Sequence, residues 1–439
     1  MEDKILEMFF ERKRWEDALN KGAFKGISQA VLRDLMSPNG RKNLLAEIVS
    51  GNYHIERPHT AKIPKDVPGE FRTVFINNDR DRVFLSIVND LLFDLTVPTG
   101  GWIHPQCTSY QKGIGCAKIV THASQMIEQL SGTDHNIIGW KADLSKYFDS
   151  VPIRYIDSKF DALEKVYGKS RIIDIVREYY HLDLFYDSEL KEEVTHYQSL
   201  KQGCAVASWL ADTILYNLDK VINDNYGGKA GGYYVRYSDD ILFIGKEYEK
   251  AMEVLTSTLE EMDMKLNPKK VEYIDNDHWF KFLGFSIKGA NISLSSNRIK
   301  SFVKEVTSRT ISKIRAGIKF QTALHSVQAW LYYGDGQYSW ATGVLKTINV
   351  KSDIDALNGF VLDCLRAVMV GKSVGMNDIG GLGWVKASKD GCIARGKGRK
   401  IRTLREKTGE RIEGFYSLGC MRNNLLYGRD LYDSIVRDI

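Results

Sequence analysis

The stretch that decides the fold is YYVRYSDDILFIG at Tyr233–Gly245, in which two adjacent carboxylates separate two apolar segments. Tyr233–Tyr237 and Ile241–Ile244 are aromatic and β-branched, a composition typical of strands. Ser238 and Asp239 fall between them, where turn-forming residues are expected. The pattern predicts a β-hairpin with acid at its tip. Serine and aspartate also form ordinary turns, so the hairpin alone does not indicate a function.

A second acidic segment, KADLSKYFDSV at 141–151, adds a chemical reason for the acids. Asp143 ends a predicted strand and can face the hairpin turn. Clustered carboxylates repel one another unless cations lie between them, and oxygen-rich pockets suit Mg²⁺ together with substrate phosphates. We interpret Asp143, Asp239 and Asp240 as catalytic ligands of two Mg²⁺ ions, which Mn²⁺ could replace. Asp149 is expected to be a helix N-cap rather than a ligand.

Composition indicates a globular chain and argues against several other classes of protein. Of 439 residues, 43% are hydrophobic, which is enough for one large core or two to three smaller ones. No segment approaches the roughly 18 to 20 apolar residues of a membrane span. The start MEDKILEMFFERKRW is too charged for a secretory signal. We therefore expect a cytoplasmic protein without a membrane partner.

Positive charge is concentrated near the C-terminal end of the sequence. Between Lys386 and Arg411, ten Lys and Arg residues stand against three acids, a local charge of +7 in a chain whose net charge is +5. Such a segment binds phosphate backbones or forms a solvated loop, and the sequence leaves both readings open. The candidate nucleic-acid-binding residues are Arg395, Lys397, Arg399, Lys400 and Arg402.

The order of predicted elements indicates an α+β protein with a small, largely antiparallel sheet. Residues 1–60 read as helical, and Gly51 is expected to end a helix. IPKDVPGEFRTVFI at 63–76 reads as a turn between two extended pieces. After Gly289 the pattern changes to basic amphipathic helices.

Three segments in the middle of the chain match, in order, the palm motifs of bacterial reverse transcriptases. In that family the first motif is an aspartate followed five residues later by an aromatic, as in Asp143 and Phe148. The second carries Gln-Gly, as in Gln202 and Gly203. The third is Y-x-D-D, as in Tyr237–Asp240. The chain resembles this family.

Further motifs lie on either side of these three. LNPKK places Lys270 at the family's lysine, and FLGF follows at Phe282–Phe285. Upstream, IPK and FRTVFI look like fingers motifs, with Lys65 and Arg72 at the positions that contact the triphosphate. TSYQKGIG looks like another. The resemblance covers about residues 50–350.

The resemblance implies a right-hand polymerase fold of fingers, palm and helical thumb, followed by a short helical and basic C-terminal extension. It predicts N-terminal helices and fingers at 1–135, a palm with interleaved fingers segments at 136–289, a helical thumb at 290–349 and the basic extension at 350–439.

Individual residues also gain implied roles. Phe148 would collide with a ribose 2′-hydroxyl, so the implied substrates are deoxynucleoside triphosphates. Gly203 would let the incoming base and the template approach closely. Lys270 would stabilise or protonate the departing pyrophosphate. The implied nucleotide-binding residues are Lys65, Arg72, Phe148, Gln202, Gly203 and Lys270, with Lys112 as a weaker candidate.

Among branches of the family, the chain looks most like the defence-associated reverse transcriptases of the type-two group, which work with a structured noncoding RNA. A group II intron protein with a homing nuclease would end in a His- and Cys-rich metal domain, yet His325 is the last histidine and no cysteine pair follows it. The retron N-A-x-x-H element is missing. The resemblance implies synthesis of DNA from a noncoding RNA template during defence against phage.

Two other functions stay open at this point. An intron-encoded maturase would use the same fold to bind RNA, with ALHSVQAWLYYG opening its maturase region. A template-independent polymerase would keep the acids and add nucleotides without copying. Comparison of the product sequence with the bound RNA separates these functions.

Overall fold

The computed structural model describes most of the chain. The described residues are 3–20, 24, 26–64, 69–111, 114–130, 137–182, 184–187, 190–195, 200–334, 339–371, 385–387, 393–395, 406–409 and 411–428.

Groups of helices are separated by strands that pair mainly antiparallel, which confirms the predicted α+β class. The helices α1 to α16 are Lys4–Phe9, Arg12–Asn20, Gln29–Met36, Pro38–Ser50, Asp79–Thr96, Cys116–Leu130, Tyr147–Ser150, Ile153–Tyr167, Arg171–His181, Val206–Ile214, Tyr216–Asn225, Tyr248–Glu261, Ser296–Arg309, Phe320–Gln328, Lys351–Met369 and Leu418–Leu426. The strands β1 to β13 are His59–Pro64, Phe71–Ile76, Ile137–Asp143, Leu184–Asp187, Glu192–Thr195, Tyr233–Tyr237, Asp240–Ile244, Glu272–Asp275, Phe280–Phe282, Phe285–Lys288, Asn291–Leu294, Val385–Ala387 and Ile393–Arg395.

The chain forms two compact units. The first comprises Met1–Lys112 and Trp140–Val271, and the second comprises Gly113–Gly139 and Glu272–Ile439. This partition differs from the four predicted segments, whose division into fingers, palm, thumb and extension stays a prediction.

Local sequence signals account for the element boundaries in the first unit. Helix α4 ends where Gly51 adopts a positive φ of 76°, as predicted. Asn78 is the N-cap of helix α5, and its side-chain oxygen accepts the Asp81 N–H over 2.8 Å. β1 and β2 pair antiparallel, so the two extended pieces predicted at 63–76 are the arms of one ladder.

Buried aromatic side chains connect the helices of the first unit. Trp209 on α10 is fully buried, and its indole N–H donates to Thr96 Oγ1 on α5 over 3.0 Å. The Tyr147 hydroxyl on α7 donates to the Ala211 carbonyl over 2.8 Å. Each large apolar side chain buried in this way contributes about 1.5 to 3 kcal/mol. Helix α7 is thereby fixed next to the end of β3.

The second unit is mainly helical and contains the three-stranded antiparallel sheet β9–β10–β11. Phe302, Trp330 and Trp340 form an aromatic cluster with ring centroids 4.8 to 6.0 Å apart. Asp353 on α15 accepts the Ile393 N–H of β13 over 3.0 Å. None of the helices in the described part of the chain combines the length and the hydropathy needed to cross a bilayer.

Candidate active site

The acidic hairpin forms as predicted. β6 and β7 pair antiparallel, and Tyr237 lies opposite Asp240 at the end of the ladder. Ser238 and Asp239 form the two-residue turn, with Ser238 at a positive φ of 58° that few residues except glycine adopt. The turn places Asp239 at the tip and Asp240 at the start of β7, both half-buried.

Asp143 lies beside this turn because β3 ends there. The Leu144 N–H donates to the Asp239 carbonyl over 3.2 Å, and the Asn267 N–H donates to the Asp143 carbonyl over 2.8 Å. Asp143 is only 6% exposed. Backbone hydrogen bonds thus bring together two acidic segments that lie about a hundred positions apart in the sequence.

The three carboxylates act on one another electrostatically. Burial and the charges of Asp239 and Asp143 raise the pKa of Asp240 to about 6. Burial and the charge of Asp143 also raise the pKa of Asp239. Raised values of this kind mark carboxylates that lack a full complement of positive charge.

Lys270 supplies part of the missing positive charge. It ends the short 3-10 helix Pro268–Lys270, and its ammonium donates to Asp143 Oδ2 over 2.6 Å. Partial burial acts to lower the pKa of Lys270, but the hydrogen bond and charge of Asp143 outweigh it and raise that pKa. The lysine side chain stays 56% exposed, so its ammonium can leave at little cost in packing.

The donor chemistry of this cluster suits a hard divalent cation, because all its ligands are carboxylate oxygens. Within the described ranges, however, no three His, Cys, Asp or Glu side chains converge into a formed metal site. The Lys270 ammonium occupies Asp143 Oδ2 instead. An ion that bound this oxygen would displace the ammonium.

Neutralising Asp240 is expected to stabilise the metal-free protein. The folded-state pKa of about 6 lies above the ordinary value of 3.8. The proton bound by this carboxyl therefore stabilises the fold fully below about pH 4, and this stabilisation is lost as pH rises to about 6. We expect Asp240→Asn to raise the free energy of unfolding at pH 8 by about 3 kcal/mol without metal. Urea unfolding at pH 4, 6 and 8 measures this difference.

Asp224→Asn is the matched control for that experiment. Asp224 is exposed, and its hydrogen bond with Lys220 lowers its pKa, so its neutralisation should not stabilise the fold at pH 8. Equal effects of both substitutions, or a loss of stability in Asp240→Asn, would contradict charge repulsion at the cluster.

Gln202 and Gly203 lie against β2. The Phe75 N–H donates to the Gln202 carbonyl over 2.7 Å. Gly203 has a φ of 106°, and a Cβ at this position would lie 2.6 Å from the Phe75 carbonyl oxygen and 2.5 Å from Val74 Cγ1. Glycine is therefore required here by the approach of two backbone segments.

Lys201, immediately before this pair, is a residue that sequence reasoning missed. It is 2% exposed, and its Nζ lies 5.5 to 5.9 Å from the ring centroids of Phe75, Tyr179 and Tyr180. Aromatic faces stabilise a desolvated ammonium. A lysine placed next to Gln-Gly carries no sequence signal for burial, because the three rings come from two distant elements.

Two of the other predicted nucleotide-binding residues, Phe148 and Arg72, have contacts within the first unit. Phe148 is half-buried on α7, and its carbonyl accepts the Leu200 N–H over 2.8 Å, which connects it to the segment before Gln202. Arg72 is exposed on β2, and its charge opposes the rise in the Asp239 pKa. All these contacts lie within the first unit.

Asp149 is not a helix N-cap, so that prediction is wrong. It lies inside α7, whose N-cap residue is Lys146, and the Asp149 N–H donates to the Lys146 carbonyl over 2.8 Å. The helix starts earlier than predicted because Lys146 itself takes a left-handed conformation with a φ of 49°.

Of the remaining predicted binding residues, only Arg395 lies within the described part of the chain. Arg395 is the last residue of β13, opposite Val385 of β12. Lys65, Lys112, Lys397, Arg399, Lys400 and Arg402 lie outside the described residues.

Sequence reasoning also missed a buried ion pair behind the acidic turn. Arg236 and Asp219 are both fully buried, with the Arg236 Nε and Nη2 2.7 Å from the two Asp219 carboxylate oxygens. The signal available was the arginine in YYVRY, because a charged residue within an apolar strand requires a buried partner.

The acid-tipped hairpin and the strand-ending aspartate lie within a sequence region that is similar to known polymerases. The family profile of reverse transcriptase (RNA-dependent DNA polymerase) matches residues 63–287, about half of the chain. This chain belongs to the reverse transcriptase family. No curated protein sequence matches it.

Solved structures that match part of this chain include telomerases from Candida. Apo telomerase from Candida tropicalis is 11% identical with a TM-score of 0.45, over 78% of this chain and 63% of that one. Its form truncated from the C-terminal domain is 14% identical with a TM-score of 0.42, over 57% and 58%. Candida albicans telomerase in complex with a fragment of telomeric RNA is 12% identical with a TM-score of 0.41, over 80% and 65%. The chain thus spans about three fifths of the telomerase chains it matches.

Proposed function

We propose that this chain is an RNA-directed DNA polymerase with a right-hand fold that copies a structured noncoding RNA into DNA. The observation that carries the proposal is the cluster of Asp143, Asp239 and Asp240, held together by backbone hydrogen bonds within the region that matches the family. Their mutual repulsion leaves negative charge for cations to neutralise.

Asp143, Asp239 and Asp240 would hold two Mg²⁺ ions, for which their carboxylate oxygens are suitable donors. When bound, such ions lower the pKa of an attacking hydroxyl and stabilise charge on the transferred phosphate. Lys270 would then lose its place on Asp143, and its ammonium would become available to the phosphates of the nucleotide. Arg72, exposed on β2, would bind the same phosphates.

Phe148 and Gly203 would select and admit the deoxynucleotide. The Phe148 carbonyl accepts the Leu200 N–H, which holds its backbone beside the segment that leads to Gln202 and supports this role. Gly203 packs against β2 without a side chain. The basic segment between Lys386 and Arg411 would contact the phosphate backbone of the RNA.

The test uses the full-length chain with an RNA template, an annealed DNA primer, deoxynucleoside triphosphates and Mg²⁺, together with sequencing of any co-purifying RNA. We expect DNA complementary to the supplied template, and its loss when Mg²⁺ is removed by chelation. A noncoding RNA that co-purifies and serves as template would support the role in defence. DNA unrelated to the template would indicate template-independent synthesis, whereas bound RNA without any DNA product would favour the maturase function.

Replacing Phe148 with valine is expected to relax the choice of sugar. Removal of the ring frees space for a 2′-hydroxyl, so the preference for deoxynucleotides over ribonucleotides should fall roughly 10- to 100-fold. Ratios of kcat/KM for one matched pair of deoxy- and ribonucleoside triphosphates measure this change. Phe93→Val, at another half-buried phenylalanine packed on the core, is the control and should leave the ratio unchanged. An unchanged ratio in Phe148→Val would remove this residue from the sugar pocket.

A further inference from the structure

Ser238 sits next to the candidate ligand Asp239 in a conformation that a non-glycine residue rarely adopts. Its φ of 58° is in the left-handed region. Such a strained backbone conformation persists only where contacts with neighbouring residues stabilise it. The hydrogen bonds of Ser238 therefore show which residues stabilise the turn.

The Ser238 amide is held by a buried serine from a distant segment. The Ser238 N–H donates to Ser109 Oγ over 2.9 Å. The Ser109 hydroxyl in turn donates to Asp212 Oδ1, and Gln111 Nε2 donates to Asp212 Oδ2 over 3.2 Å. Burial raises the pKa of Asp212 to about 6, so this group is a carboxylate at neutral pH and orients the Ser109 hydroxyl hydrogen toward itself. The Ser109 lone pairs are then free to accept the Ser238 amide.

The Ser238 carbonyl is held by the buried arginine. Arg236 Nη1 donates to the Ser238 carbonyl and to the Ala211 carbonyl, both over 3.1 Å. Its Nη2 also donates to the Asp212 carbonyl over 3.0 Å, in addition to the paired bonds to Asp219. All five guanidinium N–H groups therefore have acceptors, and the side chain has no freedom to rotate.

The segment that carries Ser109 is itself aligned along β6. The Arg236 N–H donates to the Gln106 carbonyl over 2.9 Å, and the Thr108 N–H donates to the Arg236 carbonyl over 2.9 Å. Ser109 is fully buried at the end of this pairing. Its position is thus set by backbone hydrogen bonds rather than by its side chain alone.

We propose that Ser109 and Arg236 are positioning residues that hold Ser238 in its left-handed conformation and thereby orient the Asp239 carboxylate. This inference rests on the proposed function, in which Asp239 binds metal. Because Ser109 and Arg236 are both fully buried, neither is expected to touch the nucleotide. Both act through the peptide groups on the two sides of Ser238, the residue that determines the direction of the turn.

The test is Ser109→Ala in the full-length chain, read by DNA synthesis and by direct Mn²⁺ binding. Without the hydroxyl, the Ser238 amide loses its acceptor and the turn can relax. We expect kcat to fall roughly 10- to 100-fold, since small misplacements of a reacting group have effects of this size. KM for the deoxynucleotide should stay within about twofold, because the nucleotide contacts are unaltered. The dissociation constant for Mn²⁺, measured by electron paramagnetic resonance of the free ion, should rise about fivefold or more as Asp239 loses its orientation.

Ser293→Ala is the matched control. Ser293 is also fully buried and also donates to a buried carboxylate, that of Asp353, but it lies in the second unit. Ser293→Ala should lower the thermal stability about as much as Ser109→Ala does, while leaving kcat and Mn²⁺ binding unchanged.

A second variant distinguishes positioning from a general loss of stability. Glycine adopts a positive φ without steric cost. We expect the double variant, with Ser238→Gly added to Ser109→Ala, to have a kcat at least threefold higher than that of Ser109→Ala. It should also bind Mn²⁺ more tightly than Ser109→Ala does. A purely structural role would leave the double variant no better than Ser109→Ala.

The inference would be overturned if Ser109→Ala matched Ser293→Ala in both kcat and Mn²⁺ affinity. If the wild type made no DNA yet bound Mn²⁺, the proposed function would fail while the Mn²⁺ affinities would still decide the positioning role. Absence of Mn²⁺ binding by the wild type would overturn both.

Discussion

Asp239→Asn is expected to lower kcat for DNA synthesis by about 10³-fold or more, while the chain stays folded and binds RNA as before. The substitution keeps the size of the side chain but removes the charge that would hold a metal ion at the turn. Loss of several kcal/mol of charge stabilisation in the transition state corresponds to a rate effect of this size. Primer extension under single-turnover conditions measures the rate. Filter binding of RNA and thermal unfolding show that the protein is intact.

Asp149→Asn is the informative control for this experiment. Asp149 follows Asp143 by six residues and carries the same charge, but it is exposed inside α7. We expect its activity to stay within about twofold of the wild type. Similar losses in Asp149→Asn and Asp239→Asn would mean that the metal ligands have been assigned incorrectly. Full activity of Asp239→Asn would refute the two-metal site.

Gly203→Ala is expected to have the largest effect on stability. The new Cβ would lie 2.6 Å from the Phe75 carbonyl oxygen, a backbone atom that cannot rotate away, and the φ of 106° is unfavourable for alanine. Overpacking and backbone strain together are expected to cost about 3 to 5 kcal/mol of unfolding free energy. The hydrogen bond between the Phe75 N–H and the Gln202 carbonyl would be strained as well, so DNA synthesis should fall even at temperatures where the chain is folded.

Gly168→Ala separates the clash from the backbone conformation. Gly168 has a φ of 89°, and a Cβ at this position would have no neighbour within 4 Å. With a ψ of 171° this residue lies in an extended region of positive φ that glycine alone readily adopts, so the substitution should cost about 1 to 3 kcal/mol. Urea unfolding of the two variants measures the difference. Equal losses of unfolding free energy in Gly203→Ala and Gly168→Ala would show that β2 moves to accommodate the new side chain. The close approach of β2 would then not explain why residue 203 is glycine.

Several features could be read directly from the chain. The hairpin around Ser238 and Asp239 was predicted from two apolar, strand-like segments separated by turn-forming residues. This is a local signal, because all of it lies within neighbouring residues. The end of α4 at Gly51 and the antiparallel pairing of β1 with β2 are local in the same sense. The family motifs added order and spacing, and the match over residues 63–287 confirms the family.

Other features depended on contacts between distant residues. The sequence marks Lys270 only as the lysine of a family motif, and only the fold brings its ammonium to Asp143. Ser109 and Asp212 stand about a hundred positions apart, so no window of sequence indicates that they share a hydrogen bond. The N-cap predicted for Asp149 failed because the helix starts after Lys146, whose left-handed conformation has no local signal in the sequence.

The sequence by itself determined the family and the residues that we propose for its chemistry: three acids, an aromatic residue, a Gln-Gly pair and a lysine, in a fixed order. Local patterns suffice for this because strand, turn and motif signals are written in neighbouring residues. The tertiary structure alone decided what holds those residues in place. Three contacts of this kind are the ion pair of Arg236 with Asp219, the hydrogen bond from the Ser238 amide to Ser109 and the aromatic rings around Lys201. Each forms when distant segments are buried together. A buried charge or amide needs a partner, and that partner comes from whichever segment packs against it.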